Sequence, residues 1–430
     1  MARTFGMTKE EIEQNTIYLM LRGSQAYGTN TAESDEDVGG ICMPSKDVLF
    51  GVKKFEQDDE WFDENGVNTD KVVYVFDKSL DLMLANNPNM LDFLFVPERC
   101  VLKTSPTWER IKAIRDSFIS MESKKAFQGY AIAQLGRIMT HRGYLLNPVG
   151  KPDRELLGLP AKSIFPQTQY ESIARLSAEY VPVDLRDPFY NEMAYLMDTE
   201  GSFIVKKYVD IENYRAAIEL FKNRQGQFLR MLSSISGRFL APEYRDMAVR
   251  ELKYLTQLEQ WKSYSEWESK RNEKRKILER KCGFDSKHGA HLTRLLRMGV
   301  EILEGKGVLV DRTNIDAQEL LAIRQGEYSF DQVIALSKPL NDRADFLFKA
   351  HKCANDNIVG KPEWNLNDHI KEIQLNGLNE TEIGKSINIA LRAQKIFDEG
   401  KVLPERPDYA KVNELRRELL DEWGRNLLNK

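Results

Sequence analysis

The chain has 430 residues, of which 42% are hydrophobic, and its formal net charge is −4. It is too long for one small core, so we expect two or three domains, and the near-neutral charge argues against a strongly basic protein that coats nucleic acid. No stretch approaches 18 consecutive apolar residues, so we expect no transmembrane helix and no membrane partner. The four cysteines are widely spaced and include no Cys-x-x-Cys pair, which argues against a zinc site or a disulfide framework and fits a reducing cytoplasm.

Charge is distributed unevenly between the N-terminal part of the chain and the remainder. Residues 1–105 contain 10 Lys and Arg but 19 Asp and Glu, and the remainder is mildly basic. This distribution is compatible with metal ions bound by the acidic part and a phosphate-bearing substrate bound by the basic part.

A glycine-serine turn followed by two aspartates is the first motif that indicates a chemistry. The apolar run Ile17–Leu21 predicts a buried strand; Gly23 after it would let the backbone approach a ligand, and Ser24 adds a hydroxyl and an N–H group. Asp35 and Asp37 open the next apolar stretch, and on a strand their side chains point to the same side. Two such carboxylates suit a Mg²⁺ ion that itself holds a triphosphate. The alternative is a plain tight turn with aspartates that cap or solvate a strand.

This stretch resembles a known family. A Gly-Ser pair, a spacer and Asp-x-Asp form the signature of the DNA polymerase β-like nucleotidyltransferase superfamily. The run Arg22–Thr29, Arg-Gly-Ser-Gln-Ala-Tyr-Gly-Thr, resembles one branch of it, the predicted nucleotidyltransferases associated with RNA repair and RNA ligase operons (RlaP-like). One departure is Glu36, which stands between the two aspartates where the family usually has an apolar residue; it should face away from the metal side.

The superfamily resemblance implies a third carboxylate on a neighbouring strand, so that two Mg²⁺ ions, or Mn²⁺ in their place, are bridged. Asp70 is the first candidate, because it opens the apolar strand 71–76 and matches where the family places an acid. Asp77, at the far end of that strand, and Asp92, on the next apolar element, are the alternatives. Without a catalytic role, Asp70 would hydrogen-bond its own loop.

The order of elements predicts an α+β fold with a small mixed sheet, as in the polymerase β-like nucleotidyltransferase domain, followed by a large, mainly α-helical domain. The acidic segment 57–69 indicates a hairpin connection or mobile loop, and 70–76 a third strand. From about residue 106 the apolar spacing is helical, in segments 106–143, 169–181, 187–200, 211–236, 242–282, 286–305, 316–338 and 340–355. The predicted domains are 1–105 (catalytic), 106–360 (helical, closing over the nucleotide) and 361–430 (a helical C-terminal extension).

A second motif lies in the helical part of the chain. Lys287, His291 and Arg294 fall on one face of a predicted helix, where they would contact triphosphate oxygens. The segment resembles the Lys-His-x-x-His-x-x-Arg element of the RlaP-like family, with Gly289 where alanine is more usual. The alternative is that the histidines are core or cap residues and that the arginine pairs with a surface acid. We expect no zinc site from His288 and His291 alone, because they lack a cysteine or a close third ligand.

Three features carry weaker signals. Ile-Arg-x-Gly-Glu around Arg324 is similar to a further element of the family, and this arginine would reach phosphate or stabilise a turn. Lys124 and Lys125 begin the first long helix; one of them would contact substrate, or both would lie on a solvated face, which is the favoured interpretation. The basic run 270–281 would suit an RNA backbone, but helices with charges of both signs are usually solvated.

The sequence therefore predicts a metal-dependent nucleotidyltransferase that moves a nucleoside monophosphate from an NTP to an acceptor hydroxyl and releases pyrophosphate. The favoured acceptor, by analogy with the family's association with repair, is an RNA 3′ end such as that of a damaged tRNA. One alternative is transfer to a protein side chain or a small metabolite; another is a non-catalytic module that binds nucleic acid or a partner. The predicted catalytic and metal ligands are Asp35, Asp37 and Asp70, and the predicted nucleotide-binding residues are Gly23, Ser24, Tyr27, Lys287, His291 and Arg294.

Overall fold

The computed structural model describes residues 6–32, 34–64, 67–163, 242–271, 273–357, 371 and 380–428. Outside them lie three predicted helical segments, 169–181, 187–200 and 211–236. The chain divides into two compact units, one made of Met1–Leu145 with Lys274–Lys430 and the other of Leu146–Glu273. The domain limits predicted at residues 105 and 360 remain predictions.

The N-terminal part is built on a five-stranded sheet with the strand order β3-β4-β2-β1-β5. β2 and β4 run parallel, whereas the other neighbouring strands are antiparallel. This small mixed sheet is followed by a mainly helical region, which confirms the predicted α+β class. The strands are β1 Thr16–Leu21, β2 Glu36–Cys42, β3 Gln57–Glu64, β4 Val67–Val75 and β5 Val101–Lys103.

The acidic segment 57–69 forms most of an antiparallel hairpin, so its reading as a mobile loop is wrong. Gln57 pairs with Tyr74, and Glu64 pairs with Val67, which makes β3 an edge strand and starts β4 before residue 70. One side of an edge strand meets solvent, where charged residues are tolerated and discourage pairing with other chains. An acidic composition is therefore compatible with a strand at this position.

Helices surround the sheet and continue along the chain. Up to residue 146 they are α1 Lys9–Asn15, α2 Ser24–Tyr27, α3 Lys46–Leu49, α4 Phe76–Leu84, α5 Pro88–Phe95, α6 Pro106–Lys112 and α7 Glu122–Leu146. From residue 242 they are α8 Pro242–Ser269, α9 Glu273–Cys282, α10 Ser286–Leu303, α11 Ala317–Arg324, α12 Phe330–Asn357, α13 Glu380–Asp398 and α14 Tyr409–Leu428. Among the described residues, no helix combines the length and the apolar character needed to cross a membrane.

The predicted segments 316–338 and 340–355 place a helix break at Pro339, but in the structure the break lies earlier in the chain. α11 ends at Arg324, and α12 continues through the proline. Gly326 adopts a φ of 74° after α11, a conformation that ends helices. Ser329 and Gln332 then form a capping box at the start of α12, since each backbone N–H donates to the other's side-chain oxygen, at 2.8 and 3.3 Å. The glycine and the capping box therefore determine where the helix breaks, and the proline does not.

Two longer predicted helical segments are each interrupted. The segment 106–143 contains α6, a 3₁₀ turn at Arg115–Phe118 and α7, while the segment 242–282 contains α8 and α9. Apolar spacing alone does not distinguish one long helix from two shorter ones.

One hydrophobic core connects the sheet with α5, α6, α7 and α10. Tyr18 of β1 stacks on Trp108 of α6, with ring centroids 4.2 Å apart. Phe127 of α7 and Leu292 and Leu295 of α10 are buried in the same core. This packing fixes α7 and α10 beside the sheet and so determines which of their side chains can face the turn between β1 and α2.

The last helix packs on the N-terminal part of the chain, within the same compact unit. Trp423 donates its indole N–H to the carbonyl oxygen of Pro44 at 2.8 Å. Arg110 of α6 donates to the carboxylates of Glu418 and Glu422 at 2.8 and 3.1 Å. α14 is therefore tied to the sheet region by both packing and ion pairs.

The described part of the second unit has its own internal contact. Arg154 donates two hydrogen bonds to the buried carboxylate of Glu251 on α8, at 2.6 and 2.7 Å. Arg250 of the same helix donates to the carbonyl oxygen of Gly158 at 3.0 Å. A bidentate pair of this kind fixes the segment before residue 163 on α8.

Candidate active site

The turn between β1 and α2 requires a glycine for two reasons. Gly23 has a φ of 63°, a conformation that residues with a Cβ rarely adopt. A Cβ at this position would overlap the Oδ2 atom of Asp37. The next strand is held close by the backbone as well, because the Arg22 N–H donates to the Asp37 carbonyl oxygen at 2.8 Å. The turn and this aspartate therefore form one tightly packed feature, and Ser24 begins α2 directly beside it.

The three predicted carboxylates lie at neighbouring positions of the sheet. Asp37 on β2 and Asp70 on β4 are Cα partners in the parallel register, and register partners direct their side chains to the same face. Asp35 lies one residue before β2 and lines the same cleft as Asp37. The carboxylate of Asp70 is exposed and lies 3.7 Å from the guanidinium group of Arg22.

The charges around Asp37 act in opposite directions. Burial raises the pKa of its carboxyl group, and the negative charges of Asp70 and Asp35 raise it further, whereas the positive charges of Arg22 and Lys287 lower it. Two acidic neighbours on one face oppose the ionised form of a partly buried carboxylate, and a bound divalent cation would relieve this repulsion.

The donor set of this cluster consists of carboxylate oxygens, which are the ligands that Mg²⁺ prefers. Among the described residues, these three carboxylates are not a group whose oxygens all lie within 4.8 Å of one another. The ligand type of these residues therefore fits magnesium. Their carboxylate oxygens are farther apart than the ligands of a single closed metal site.

A cleft of about 780 Å³ opens in front of the turn. One wall carries Gly23, Ser24, Asp35 and Asp37, and the opposite wall is formed by α7, α10 and the end of α11. An acidic wall facing a basic one suits a ligand that combines a cation with phosphates. The basic residues that line the cleft are Arg22, Lys125, Arg137, Lys287, Arg294 and Arg324.

The predicted nucleotide-binding face of α10 does line this cleft: Lys287, His291 and Arg294 all belong to its wall. The helix begins where the Asp285 side chain accepts a hydrogen bond from the His288 N–H at 3.3 Å, as the cap position requires. Burial lowers the pKa of His291 well below 6.5, and the nearby positive charges act in the same direction. This imidazole is therefore neutral at pH 7 and offers hydrogen bonds rather than charge.

Arg294 is fixed in position by aromatic and acidic neighbours. Its guanidinium carbon lies 3.7 Å from the centroid of the Tyr27 ring, within the range of a cation–π contact. The Tyr27 hydroxyl donates to Asp92 of α5, a fully buried carboxyl group. Burial raises the pKa of Asp92, while Arg294 and the tyrosine hydroxyl act against this. Tyr27 therefore lines the cleft and supports the arginine, and its predicted contact with the nucleotide stays a prediction.

Asp92 and Asp77, the alternative candidates for the third carboxylate, are each paired with another side chain. Asp92 lines the cleft but bonds the Tyr27 hydroxyl. Asp77 lies in the first turn of α4, since β4 ends at Val75, and its carboxylate is 3.6 Å from Arg416 of α14. Neither aspartate is a register partner of β2, and only Asp70 among the three candidates lies opposite Asp37.

Sequence reasoning missed the contribution of α7 to the cleft. Lys125, Gly129, Ala133 and Arg137 all line it and follow at intervals of four, so they form one stripe of the helix. The two small residues leave room between the two cations. The neighbouring Lys124 points elsewhere and pairs with Asp345 at 2.7 Å. The signal in the sequence was this stripe of small and basic residues, which is recognisable only once α7 is placed.

Arg324 also lies in the cleft wall. It donates to the carbonyl oxygen of Thr29 at 3.3 Å, so the end of α11 is connected to the loop after α2. The basic run 270–281 falls largely on α9, and none of its residues belongs to the cleft lining within the described part of the chain.

Fold and site together define a class: a small mixed sheet with a glycine-serine turn beside paired aspartates is the arrangement that the polymerase β-like nucleotidyltransferase resemblance implies. Residues 2–143 match the model of the family described as RlaP, RNA repair pathway DNA polymerase beta family. This match confirms the resemblance over that part of the chain. The helical elements that carry Lys287, His291, Arg294 and Arg324 lie outside the matched residues, and their roles remain predictions.

Two further proteins are similar to this chain. An uncharacterized 38.9 kDa protein from the nrdC–mobD intergenic region of Enterobacteria phage T4 is 29% identical over 129 residues. The alignment covers 28% of this chain and 38% of the phage protein, so the chain matches little more than a third of that relative's length. A nucleotidyltransferase-like protein from Exiguobacterium sibiricum 255-15 has 9% sequence identity and a TM-score of 0.19 over 60% of this chain and 75% of that one. Neither protein informs the chemistry of the cleft.

Proposed function

We propose that this chain is a nucleotidyltransferase that moves a nucleoside monophosphate from an NTP to an acceptor hydroxyl, with an RNA 3′ end as the favoured acceptor. The observation that carries the proposal is the register pairing of Asp37 and Asp70 on parallel strands, where Asp37 packs against the Gly23 turn and lines the cleft that also carries the basic residues, although Asp70 is not part of the cleft lining. The family match over residues 2–143 supports it.

Asp35, Asp37 and Asp70 would hold Mg²⁺, for which Mn²⁺ can substitute, because their hard carboxylate oxygens fit either ion. When bound there, the metal would supply charge neutralisation of the triphosphate and activation of the acceptor hydroxyl. Arg22, 3.7 Å from Asp70, would keep this carboxylate oriented toward the site.

The chain's own residues would bind and orient the triphosphate. The backbone at Gly23 can approach a phosphate oxygen closely because no side chain intervenes, and Ser24 adds a hydroxyl donor. From the other wall, Lys287 would neutralise phosphate charge, and Arg294, already fixed over Tyr27, would act without further loss of side-chain freedom. Attack on the α-phosphorus forms a bond to the acceptor oxygen and breaks the bond to the pyrophosphate. Stabilisation of this step would be mainly electrostatic.

The acceptor is supported more weakly than the donor. RNA is favoured by the family description, which names an RNA repair pathway. Lys125 and Arg137, spaced along α7, extend the basic wall over a length that would suit a nucleic-acid backbone. A protein side chain or a small metabolite remains the alternative acceptor. A non-catalytic binding module is disfavoured, because Asp35, Asp37 and Asp70 are all present.

The test is transfer from α-labelled ATP, GTP, CTP and UTP, each with Mg²⁺ or Mn²⁺, to total RNA. Wild-type protein is compared with the Asp35→Ala/Asp37→Ala double variant and with Asp59→Ala, an exposed carboxylate on the edge strand of the same sheet. We expect label in RNA from the wild type and the control but not from the double variant. Label on protein or a small molecule would select the alternative acceptor, and transfer that does not depend on the aspartates would overturn the proposal.

A further inference from the structure

A second group of metal-ligating side chains lies where the end of α7 meets the start of α10. His141, Asp285 and His288 each offer one ligand atom, and these atoms all lie within 4.8 Å of one another. His141 Nδ1 is 3.0 Å from Asp285 Oδ2, and His288 Nε2 is 3.4 Å from the same oxygen. None of the three residues belongs to the lining of the 780 Å³ cleft, so this group is separate from the aspartates proposed for magnesium.

We propose that His141, Asp285 and His288 bind a Zn²⁺ ion. In a tetrahedral zinc site with bonds of about 2.0–2.1 Å, neighbouring ligand atoms are roughly 3.3 Å apart. The two distances to Asp285 Oδ2, 3.0 and 3.4 Å, bracket this value, so an ion can enter with small side-chain adjustments. Two imidazoles and one carboxylate are a ligand set that zinc accepts, and a water molecule would complete the coordination.

The orientation of His288 directs its second ring nitrogen toward the aspartate. Its Nδ1 atom is 2.6 Å from the Gln134 side-chain carbonyl oxygen; this oxygen only accepts hydrogen bonds, so Nδ1 carries the proton. In the neutral imidazole, Nε2 then presents a lone pair toward the Asp285 carboxylate. A proton or a metal ion between these two atoms would satisfy both, and His141 offers a metal ion a further ligand atom within 4.8 Å. Metal-binding histidines characteristically donate their second N–H group to such an acceptor.

Asp285 is placed to serve the helix and the ion at once. Its Oδ1 atom accepts the His288 backbone N–H at 3.3 Å, which caps α10, while Oδ2 faces both imidazoles. The carboxylate is fully buried, and the side chains of His141 and His288 are 19% and 15% exposed. The partly exposed imidazoles leave a path for an ion to enter.

The ion would join the two helices that form the basic wall of the cleft. Arg137 lies one turn before His141 on α7, and Lys287 lies directly before His288 on α10, and both line the cleft. Zinc would therefore fix the spacing of these cations without touching substrate. Sequence analysis predicted no zinc site from His288 and His291 alone. It did not consider His141, which lies 144 positions before Asp285, because no short motif connects the two.

The test measures zinc in the full-length protein after dialysis against buffered Zn²⁺, together with the visible spectrum after Co²⁺ replacement. Asp285→Asn is the sharpest variant, because asparagine caps a helix as well as aspartate does but lacks the anionic ligand. His141→Gln removes a ligand from the other helix. Asp331→Asn, an exposed position on α12, is the matched control, and the Asp35→Ala/Asp37→Ala variant reports on the magnesium cluster.

We expect about one zinc per chain in the wild type, in the Asp331→Asn control and in the Asp35→Ala/Asp37→Ala variant, with a tetrahedral Co²⁺ spectrum. Asp285→Asn and His141→Gln should bind zinc at least about 10-fold more weakly. Zinc should raise the melting temperature of the wild type but not of these two variants. Equal zinc content in the wild type and Asp285→Asn, zinc lost with Asp35 and Asp37, or no zinc in any form would overturn the proposal and leave a triad with a proton between imidazole and carboxylate.

Discussion

Asp37 and Asp70 are register partners on two adjacent parallel strands, although β3 and the turn into β4 lie between them in sequence. Burial and the negative charges of Asp70 and Asp35 raise the pKa of Asp37. Burial is the largest of these causes, and Arg22 and Lys287 act in the opposite direction. The ionised form of Asp37 is therefore disfavoured in the unliganded site, and a divalent cation would stabilise it. Several consequences of this arrangement are measurable.

Asp37→Asn should abolish nucleotide transfer while leaving the protein folded. The loss should be at least about 100-fold, the upper end of the effect of removing partners of metal ligands. In EDTA, the free energy of unfolding at pH 7 should rise or stay constant, because a carboxyl group whose pKa is raised by folding destabilises the folded state once it is ionised. Urea denaturation with and without Mg²⁺ measures this. A large loss of stability in EDTA would contradict it.

Gly23→Ala should destabilise the protein and remove its activity. The backbone of Gly23, with φ 63° and ψ −135°, lies outside the left-handed helical region and costs a residue with a Cβ about 1–3 kcal/mol. The overlap with Asp37 Oδ2 would displace that carboxylate. Gly51→Ala is the matched control, since Gly51 has a φ of 75° but no heavy atom within 4 Å of the added Cβ. Both variants should lose stability in denaturant titrations, Gly23→Ala at least as much as Gly51→Ala. Only Gly23→Ala should lose transfer activity, and equal activity in the two would argue against a tight approach at this turn.

Neighbouring lysines on α7 allow a direct test of the basic wall. Lys125 lines the cleft, whereas Lys124 pairs with Asp345 outside it. Lys125→Ala should raise the KM for the NTP by about 5–10-fold, as expected when one charge-to-phosphate contact of roughly 1 kcal/mol is lost. The Lys124→Ala variant should keep the wild-type KM. Steady-state kinetics at two salt concentrations would show whether the effect is electrostatic, because added salt should reduce the difference.

The site was predictable from sequence where its residues are close along the chain. Gly23, Ser24, Asp35 and Asp37 lie in one short stretch, in which the strand period and the glycine already constrain the geometry. Asp70 was located through the position that the family gives to an acid before an apolar strand, and the parallel register now places it opposite Asp37. These assignments needed no knowledge of tertiary packing.

The parts that sequence did not predict depend on packing between distant segments. Lys125 and Arg137 belong to the cleft only because α7 docks beside the sheet, and the triad of His141, Asp285 and His288 forms only where α7 meets α10. The strand β3 was read as a hairpin connection or loop because its acidic residues hide the pairing with β4. A strand at a sheet edge tolerates charged side chains, so amino-acid composition predicts such strands poorly.

Tyr27 and Asp92 should be energetically coupled. The tyrosine hydroxyl donates to this buried carboxyl group, whose other oxygen has no hydrogen-bond partner among the described residues. Tyr27→Phe should cost about 1–3 kcal/mol, because it leaves a buried polar group unsatisfied. In the Asp92→Leu background, the same substitution should cost clearly less. A double-mutant cycle in urea measures this difference, and additive effects would show that the hydrogen bond contributes little.

His351 should make the stability of the protein depend on pH. The imidazole is fully buried between α12, the end of α10 and residue 403, where Nε2–H donates to the Leu303 carbonyl oxygen at 2.7 Å and Nδ1 accepts the Leu403 N–H at 3.2 Å. Burial lowers the pKa of His351 below 6.5. Protonation would remove the acceptor at Nδ1 and place a charge in the core. Both hydrogen bonds therefore require the neutral ring.

The sign of the pH effect follows from this lowered pKa. Between pH 6.5 and the folded pKa, the unfolded chain binds more protons than the folded protein, so the free energy of unfolding falls as the pH falls. The slope from one such group is at most about 1.4 kcal/mol per pH unit. In His351→Gln the slope between pH 6.5 and 5 should be smaller, although His291, whose pKa is also lowered, preserves part of it. Urea titrations at several pH values measure both slopes, and identical slopes would show that His351 does not titrate on unfolding.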